Sequence, residues 1–189
     1  DLIGIDLMAD VLKSFIKELP ENDEFQIVAK EIPLIKKLID TGYTGRKGKG
    51  GFYRMNKVNN KKFLEAINLE TEEYFPIKKI DIESDKVDLK NIINRKDKYG
   101  EYAWSVISKI IKYASSLVPG ITDKFNDIDE AMRLGFNWTK GPFEMLSEIG
   151  VKNFFEKIDS LKNNKFLENL SKTKDEKFYI ERQQYTDIE

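Results

Sequence analysis

Asp1-Leu2-Ile3-Gly4-Ile5 opens the chain, and Ser147-Glu148-Ile149-Gly150-Val151 echoes it. Each stretch brings an acidic residue, an Ile and a Gly to a helix-start signal. Each is followed by an amphipathic pattern, a second short helix pattern and a Phe-Tyr pair. The pairs are Phe52-Tyr53 and Phe178-Tyr179, and a lysine precedes both, at Lys49 and Lys177. A repeat of this kind predicts a duplicated helical module. The second copy has about 50 residues of helical pattern ahead of Gly150, whereas the first copy starts at its own Gly4. The expectation is a first module that lacks its front. The competing reading is chance similarity between two amphipathic helices.

Met8, Val11, Leu12, Phe15, Ile16 and Leu19 recur at helical spacing, with Asp6 as a candidate N-cap and Pro20 as the stop. A polar turn at Glu21, Asn22 and Asp23 follows. Pro33 to Asp40 predicts a second helix, with Pro in the first turn and Gly42 just past the end. Asn59-Asn60 between Gly51–Met55 and Lys62–Ile67 predicts a β-hairpin. Tyr74 to Ile82 alternates poorly and reads as a linker with some extended character.

From Asp85 onward the pattern is helical. A short helix is expected over Val87 to Asn94 and a long one over Tyr99 to Val118, with Trp104, Ile107, Ile111, Ala114 and Leu117 on one face. Asn126 is a candidate cap for a helix through Leu134 that Gly135 closes. Pro142 opens another helix, closed by Gly150. Phe154, Phe155 and Ile158 mark a further one, and Phe166, Leu167 and Leu170 the last. The tail from Glu181 is polar. The expected fold is mainly α: two tandem related helical modules, the first truncated at its front, with a small β-hairpin between them. The expected divisions are residues 1–75, a linker at 76–86, and 87–189.

Composition narrows the chemistry. The 189 residues include no Cys and no His, so disulfides, thiolates and imidazole bases are absent. Thirty-two basic residues balance thirty-three acidic ones. That balance argues against a nucleic-acid partner, which calls for a basic excess. No apolar run approaches the roughly 20 residues that span a bilayer, and a cytoplasmic location is expected.

The strongest candidate for ligand contact is the loop Gly45 to Gly51. Its glycines free backbone N–H groups, and Arg46, Lys47 and Lys49, with Gly48 between the lysines, could meet a phosphate. The other reading is a helix C-cap and tight turn that packs Phe52 and Tyr53, with solvated lysines. Asp127, Asp129 and Glu130 resemble a metal cluster only superficially, lacking the glycine and distal Glu of a calcium loop. Their expected role is to place negative charge at a helix N-terminus. Trp104, Tyr113, Trp138 and Phe143 are expected in the core.

Asp127-Ile128-Asp129-Glu130-Ala131-Met132-Arg133-Leu134-Gly135, Gly141-Pro142-Phe143-Glu144 and Glu148-Ile149-Gly150 together resemble the C-terminal helical domain of 3-hydroxyacyl-CoA dehydrogenases. Gly42-Tyr43-Thr44-Gly45-Arg46-Lys47-Gly48-Lys49-Gly50-Gly51-Phe52-Tyr53 resembles that domain's glycine-rich closing motif, and Asp1 to Asp6 the segment after its Gly-Pro-Phe turn. Tandem modules are most similar to the long, multifunctional β-oxidation enzymes, which also carry an enoyl-CoA hydratase domain.

The resemblance implies a parent protein that oxidises a 3-hydroxyacyl-CoA with NAD, through a His, a Glu and a Rossmann domain that this chain lacks. It implies no catalytic, cofactor-binding or metal residue here; the loop's own glycines and charges are what make Arg46, Lys47, Gly48 and Lys49 the expected substrate contacts. The partners implied are acyl-CoA and the parent's Rossmann domain. Self-association through Met8, Val11, Phe15 and Ile16 is a further expectation. A different class of function is an independent helical interaction module that takes an acidic or phosphorylated partner through Arg46 to Lys49.

Overall fold

The computed structural model describes residues 1–78, 88–158 and 164–172. The chain divides into two compact units, Asp1–Ile82 and Glu83–Glu189.

The first unit begins with α1 (Ile5–Glu18), α2 (Phe25–Val28) and α3 (Pro33–Asp40). Ile5 on α1 and Leu38 on α3 are its buried aliphatic anchors. α1 ends against α2: the Gln26 amide donates to the carbonyls of Ile16 (3.0 Å) and Leu19 (3.2 Å), and Phe25 meets Phe15 edge-on at 5.6 Å. α3 starts at Pro33 and closes in a Schellman turn. There the Tyr43 N–H donates to the Leu38 carbonyl (2.7 Å) and the Gly42 N–H to that of Ile39 (3.0 Å), with Gly42 at φ 84°.

Three antiparallel strands follow, β1 (Tyr53–Val58), β2 (Lys61–Ile67) and β3 (Tyr74–Pro76), in the order β1-β2-β3. Asn59 and Asn60 both have positive φ, as a two-residue type I′ turn demands, and they fix the register Tyr53↔Ala66 through Val58↔Lys61.

The second unit contains α4 (Leu89–Ile93), α5 (Lys98–Ser116), α6 (Phe125–Phe136), α7 (Pro142–Ile149), α8 (Val151–Lys157) and α9 (Lys165–Lys172). Its core joins Ile93, Ile111, Leu146, Ile149, Val151, Phe154, Leu167 and Leu170. Trp104 packs on Phe154 at 5.5 Å, and Phe143 meets Phe125 and Phe166, each at 5.3 Å. Fully burying a side chain of this size stabilises by about 1.5–3 kcal/mol, so this cluster carries the unit. Tyr113 and Trp138 are partly buried.

The mainly helical fold with a small β element agrees with the expectation. Several details differ. Gly4, not Asp6, is the N-cap of α1; Asp6 lies inside the helix and turns instead to Lys47. α2 was not expected; it forms because Asp23 accepts the Phe25 N–H at 2.7 Å. Tyr74–Pro76 is a third strand rather than linker, paired through Glu65↔Pro76, Ala66↔Phe75 and Ile67↔Tyr74. Asn126 is inside α6, whose N-cap is Lys124, and the helix passes through Gly135 to end at Asn137 in the left-handed region.

Asp129 does hold a helix N-terminus, but that of α7 rather than its own. Its buried carboxylate accepts the N–H groups of Phe143 (2.8 Å) and Glu144 (2.9 Å). Glu144 accepts the Gly141 N–H at 2.8 Å and pairs with Arg133 at 2.6 Å. Phe178, Tyr179, Lys177 and the tail from Glu181 lie outside the described residues.

The two Gly positions of the repeat are alike in backbone. Gly4 (φ 120°, ψ 127°) and Gly150 (φ 87°, ψ 127°) each stand directly before a helix, α1 and α8. The residue after each, Ile5 or Val151, is buried. A side chain is disfavoured at such φ, so glycine at both places has a backbone reason.

Candidate functional site

The glycine-rich loop is built around Asp1. Its backbone carbonyl accepts the Arg46 N–H at 2.8 Å. Its carboxylate accepts the N–H groups of Phe52 (2.9 Å) and Tyr53 (2.8 Å). Gly45 and Gly50 bridge across the loop. A Cβ on Gly51 would run into the Asp1 carboxylate, so the glycine here allows the two chain segments to touch.

Arg46, Gly48 and Lys49, three of the four residues expected to contact substrate, line one cleft of about 830 Å³ together with Asp1, Leu2, Tyr53, Arg54, Met55 and Leu64. Lys47 pairs with Asp6 at 2.7 Å. That bond to Lys47 holds the Asp6 carboxyl below its ordinary range. Lys49 donates to the Thr41 carbonyl at 3.0 Å, at the open end of α3, where a cation suits the helix dipole. Gly48 sits in a tight turn, with the Thr44 hydroxyl 2.5 Å from where a Cβ would stand. Arg46 is exposed and has no ion-pair partner among the described residues. Of the loop's cations, Arg46 is therefore the one held to the fold by its backbone alone.

Beneath the sheet lies a polar cluster that sequence reasoning missed. Arg54 Nε donates to Glu65 at 2.7 Å, and the Arg54 guanidinium sits 4.0 Å from the centre of the Tyr74 ring. Asn56 donates to the other Glu65 oxygen at 3.0 Å, and the Tyr74 hydroxyl donates to the Gly51 carbonyl at 2.5 Å. The bonds from Asn56 and then Arg54 hold the buried Glu65 carboxyl below its ordinary range, whereas burial raises the Tyr74 phenol. The usable signal was the Asn59-Asn60 turn: a two-residue loop places Arg54 directly opposite Glu65. Every group in this cluster has a partner, so its role is to tie β1, β2, β3 and the loop together.

Among the described residues no group of three or more acidic side chains is placed to hold a metal ion. The described sheet is antiparallel throughout, without the strand–helix–strand crossover on whose helix N-terminus a dinucleotide pyrophosphate sits. The residues described here do not fit NAD.

No protein-family model matches the chain, and no solved structure matches it. Among curated proteins, one from Rickettsia prowazekii, named as a fatty acid oxidation complex trifunctional enzyme, is 39% identical over 153 residues. The match covers 81% of this chain and 21% of that protein. One from Bacillus subtilis, named as a 3-hydroxyacyl-CoA dehydrogenase, is 29% identical over 168 residues, covering 85% of this chain and 21% of the relative. The chain is thus similar to part of proteins named for fatty acid oxidation and for 3-hydroxyacyl-CoA dehydrogenase, in line with the resemblance that its Asp-Ile-Asp, Gly-Pro-Phe and glycine-loop motifs carry. It spans about a fifth of the length of these relatives.

Proposed function

We propose that this chain is the C-terminal helical part of an NAD-dependent 3-hydroxyacyl-CoA dehydrogenase of fatty acid β-oxidation. In that role its modules wall the acyl-CoA cleft and pack against the rest of the enzyme. Hydride transfer and NAD binding belong to other residues of the longer protein, and this chain alone is inactive.

The observation that carries the reading is a mismatch between equivalent positions. Ile149 and Phe154 flank Gly150 and are fully buried, whereas Ile3 and Met8, at the same distances from Gly4, are 65% and 55% exposed. In the second unit, helices of the α4 and α5 type supply the cover. The first unit presents the same apolar positions without such a layer. A longer enzyme supplies it; the chain alone would meet the same need by pairing with itself through Met8, Val11, Phe15 and Ile16. Within the loop, Arg46 would meet a phosphate of acyl-CoA, a reading supported by its exposed side chain, unpaired among the described residues, while Lys47, Gly48 and Lys49 hold the loop in shape. An independent module that takes an acidic partner through this loop would have to work with Arg46 and displaced lysines.

The test is a chimera. The Rickettsia prowazekii enzyme, with its matching region replaced by this chain, is expected to reduce NAD with a 3-hydroxyacyl-CoA, and this chain alone is not. Hydride transfer by the isolated chain, or an inactive but folded chimera, would overturn the proposal.

A further inference from the structure

The outer face of the sheet is apolar and open. The register places Tyr53, Ala66 and Phe75 in one row, and Met55 and Leu64 in the next. The Ile77 N–H donates to the Leu64 carbonyl, which extends that second row to Ile77. Tyr53, Met55, Leu64, Phe75 and Ile77 are between 42% and 61% exposed. Contiguous apolar surface of this kind marks an interaction site rather than ordinary surface.

Charge says what kind. The next row toward the turn is Lys57 directly opposite Lys62, while Lys61, paired with Val58, falls on the opposite face. Like charges placed opposite each other destabilise a strand pair. None of the three lysines has an ion-pair partner among the described residues. From Tyr53 to Leu64 the hairpin carries Arg54, Lys57, Lys61 and Lys62 and no acid, and Arg54 is already paired with Glu65. Glu73 shares the outer parity but sits beside Asn68. At about 3.4 Å per residue it is roughly 20 Å along the strand from the lysine pair, beyond a Debye length of about 10 Å.

We propose that this outer sheet face is a peripheral docking surface for an anionic lipid bilayer. The aromatic and aliphatic side chains would enter the headgroup boundary while Lys57 and Lys62 meet lipid phosphates. A second copy docked through the same face fits poorly, because that face brings the same lysines and no acid near them. A single soluble amphiphile fits poorly too. Phe75 and Ile77 continue the patch beyond the residues that line the cleft, and a small-molecule site encloses most of its ligand. Among the described residues no helix is long and apolar enough to cross a membrane, so the contact is with the surface.

The experiment is co-sedimentation of the full chain with vesicles of phosphatidylcholine alone and with vesicles that also contain phosphatidylglycerol. Binding is expected to the anionic vesicles only, with release at high salt. Lys57→Gln with Lys62→Gln should weaken it roughly twenty-five-fold, at about fivefold per cation. Because that double variant removes a like-charge pair, it should fold at least as well as the parent, which circular dichroism checks. Met55→Asp should abolish binding. Equal binding to both vesicle types, unchanged binding by the lysine double variant, or no binding to either would overturn the proposal. So would capture of a soluble acyl phosphate without capture of vesicles.

Discussion

Met8 and Phe154 each stand four residues after a glycine of positive φ, Gly4 and Gly150, yet Met8 is half in water and Phe154 is fully buried against Trp104. The same place in the repeat should therefore have two energetic values. Phe154→Ala is expected to cost about 3–5 kcal/mol. Met8→Ala should stay within about 0.5 kcal/mol at dilutions where the chain is monomeric, as exposed substitutions do. Urea unfolding of the two variants measures the difference, and similar costs would contradict the assignment of the two environments.

Asp129 offers a sharper test of the second unit. Its carboxylate is the acceptor for two consecutive amides at the start of α7. Asp129→Ala leaves both without that partner, and the expected loss is about 2–4 kcal/mol. Asp129→Asn keeps one acceptor oxygen and should lose about half as much. The check is the denaturation midpoint of the two variants.

Gly135 should respond in the opposite direction. It lies inside α6, and nothing stands within 4 Å of where a Cβ would be. Gly135→Ala is expected to stabilise the chain by up to about 1 kcal/mol, because alanine is the better helix former. A destabilised variant would show that α6 does not run through this residue.

Acid should weaken the start of α5. Asp97 caps that helix and is bonded to Arg95, and these partners lower its pKa from 3.8 to about 2. Since the folded value lies below the unfolded one, the contribution is complete above about pH 4 and is lost as pH falls through 2. The melting temperature should thus fall between pH 4 and pH 2, and Asp97→Asn should flatten that part of the profile. Identical profiles for the two proteins would rule out a role for this carboxylate.

Where local chemistry decides the structure, the sequence was legible. Pro33 and Gly42 bracket α3 as their backbone preferences require, Asn59-Asn60 makes the hairpin turn, and Gly141-Pro142 starts α7. Long-range partners decided the rest. Asp6 was available as a cap, but Lys47, far along the chain, draws it into an ion pair. Tyr74–Pro76 lacks alternation because its inner positions serve the Arg54–Glu65 cluster rather than a hydrocarbon core. Asp129 looked like a cap for its own helix because spacing along the chain does not reveal that α7 packs beside it. In the loop, the positions of Arg46, Lys47, Gly48 and Lys49 were legible as a group. Their separate employment was not, since it depends on Asp6 and on the end of α3.

The bonds from Asp1 to Phe52 and Tyr53 have a kinetic meaning as well. They join residues more than fifty apart, while the helices and the hairpin of the first unit form from near neighbours. Closing so long a loop carries an entropic cost that local elements escape. The clasp should therefore be the last part of the unit to set and the first to open. The amides of Phe52 and Tyr53 would then exchange with solvent deuterium by a brief opening of this one contact, sooner than amides deep in the hairpin ladder such as that of Glu65. Residues joined ahead of Asp1 would alter that exchange rate before they altered the helices, making these two amides a local gauge of what the chain's first residue is attached to.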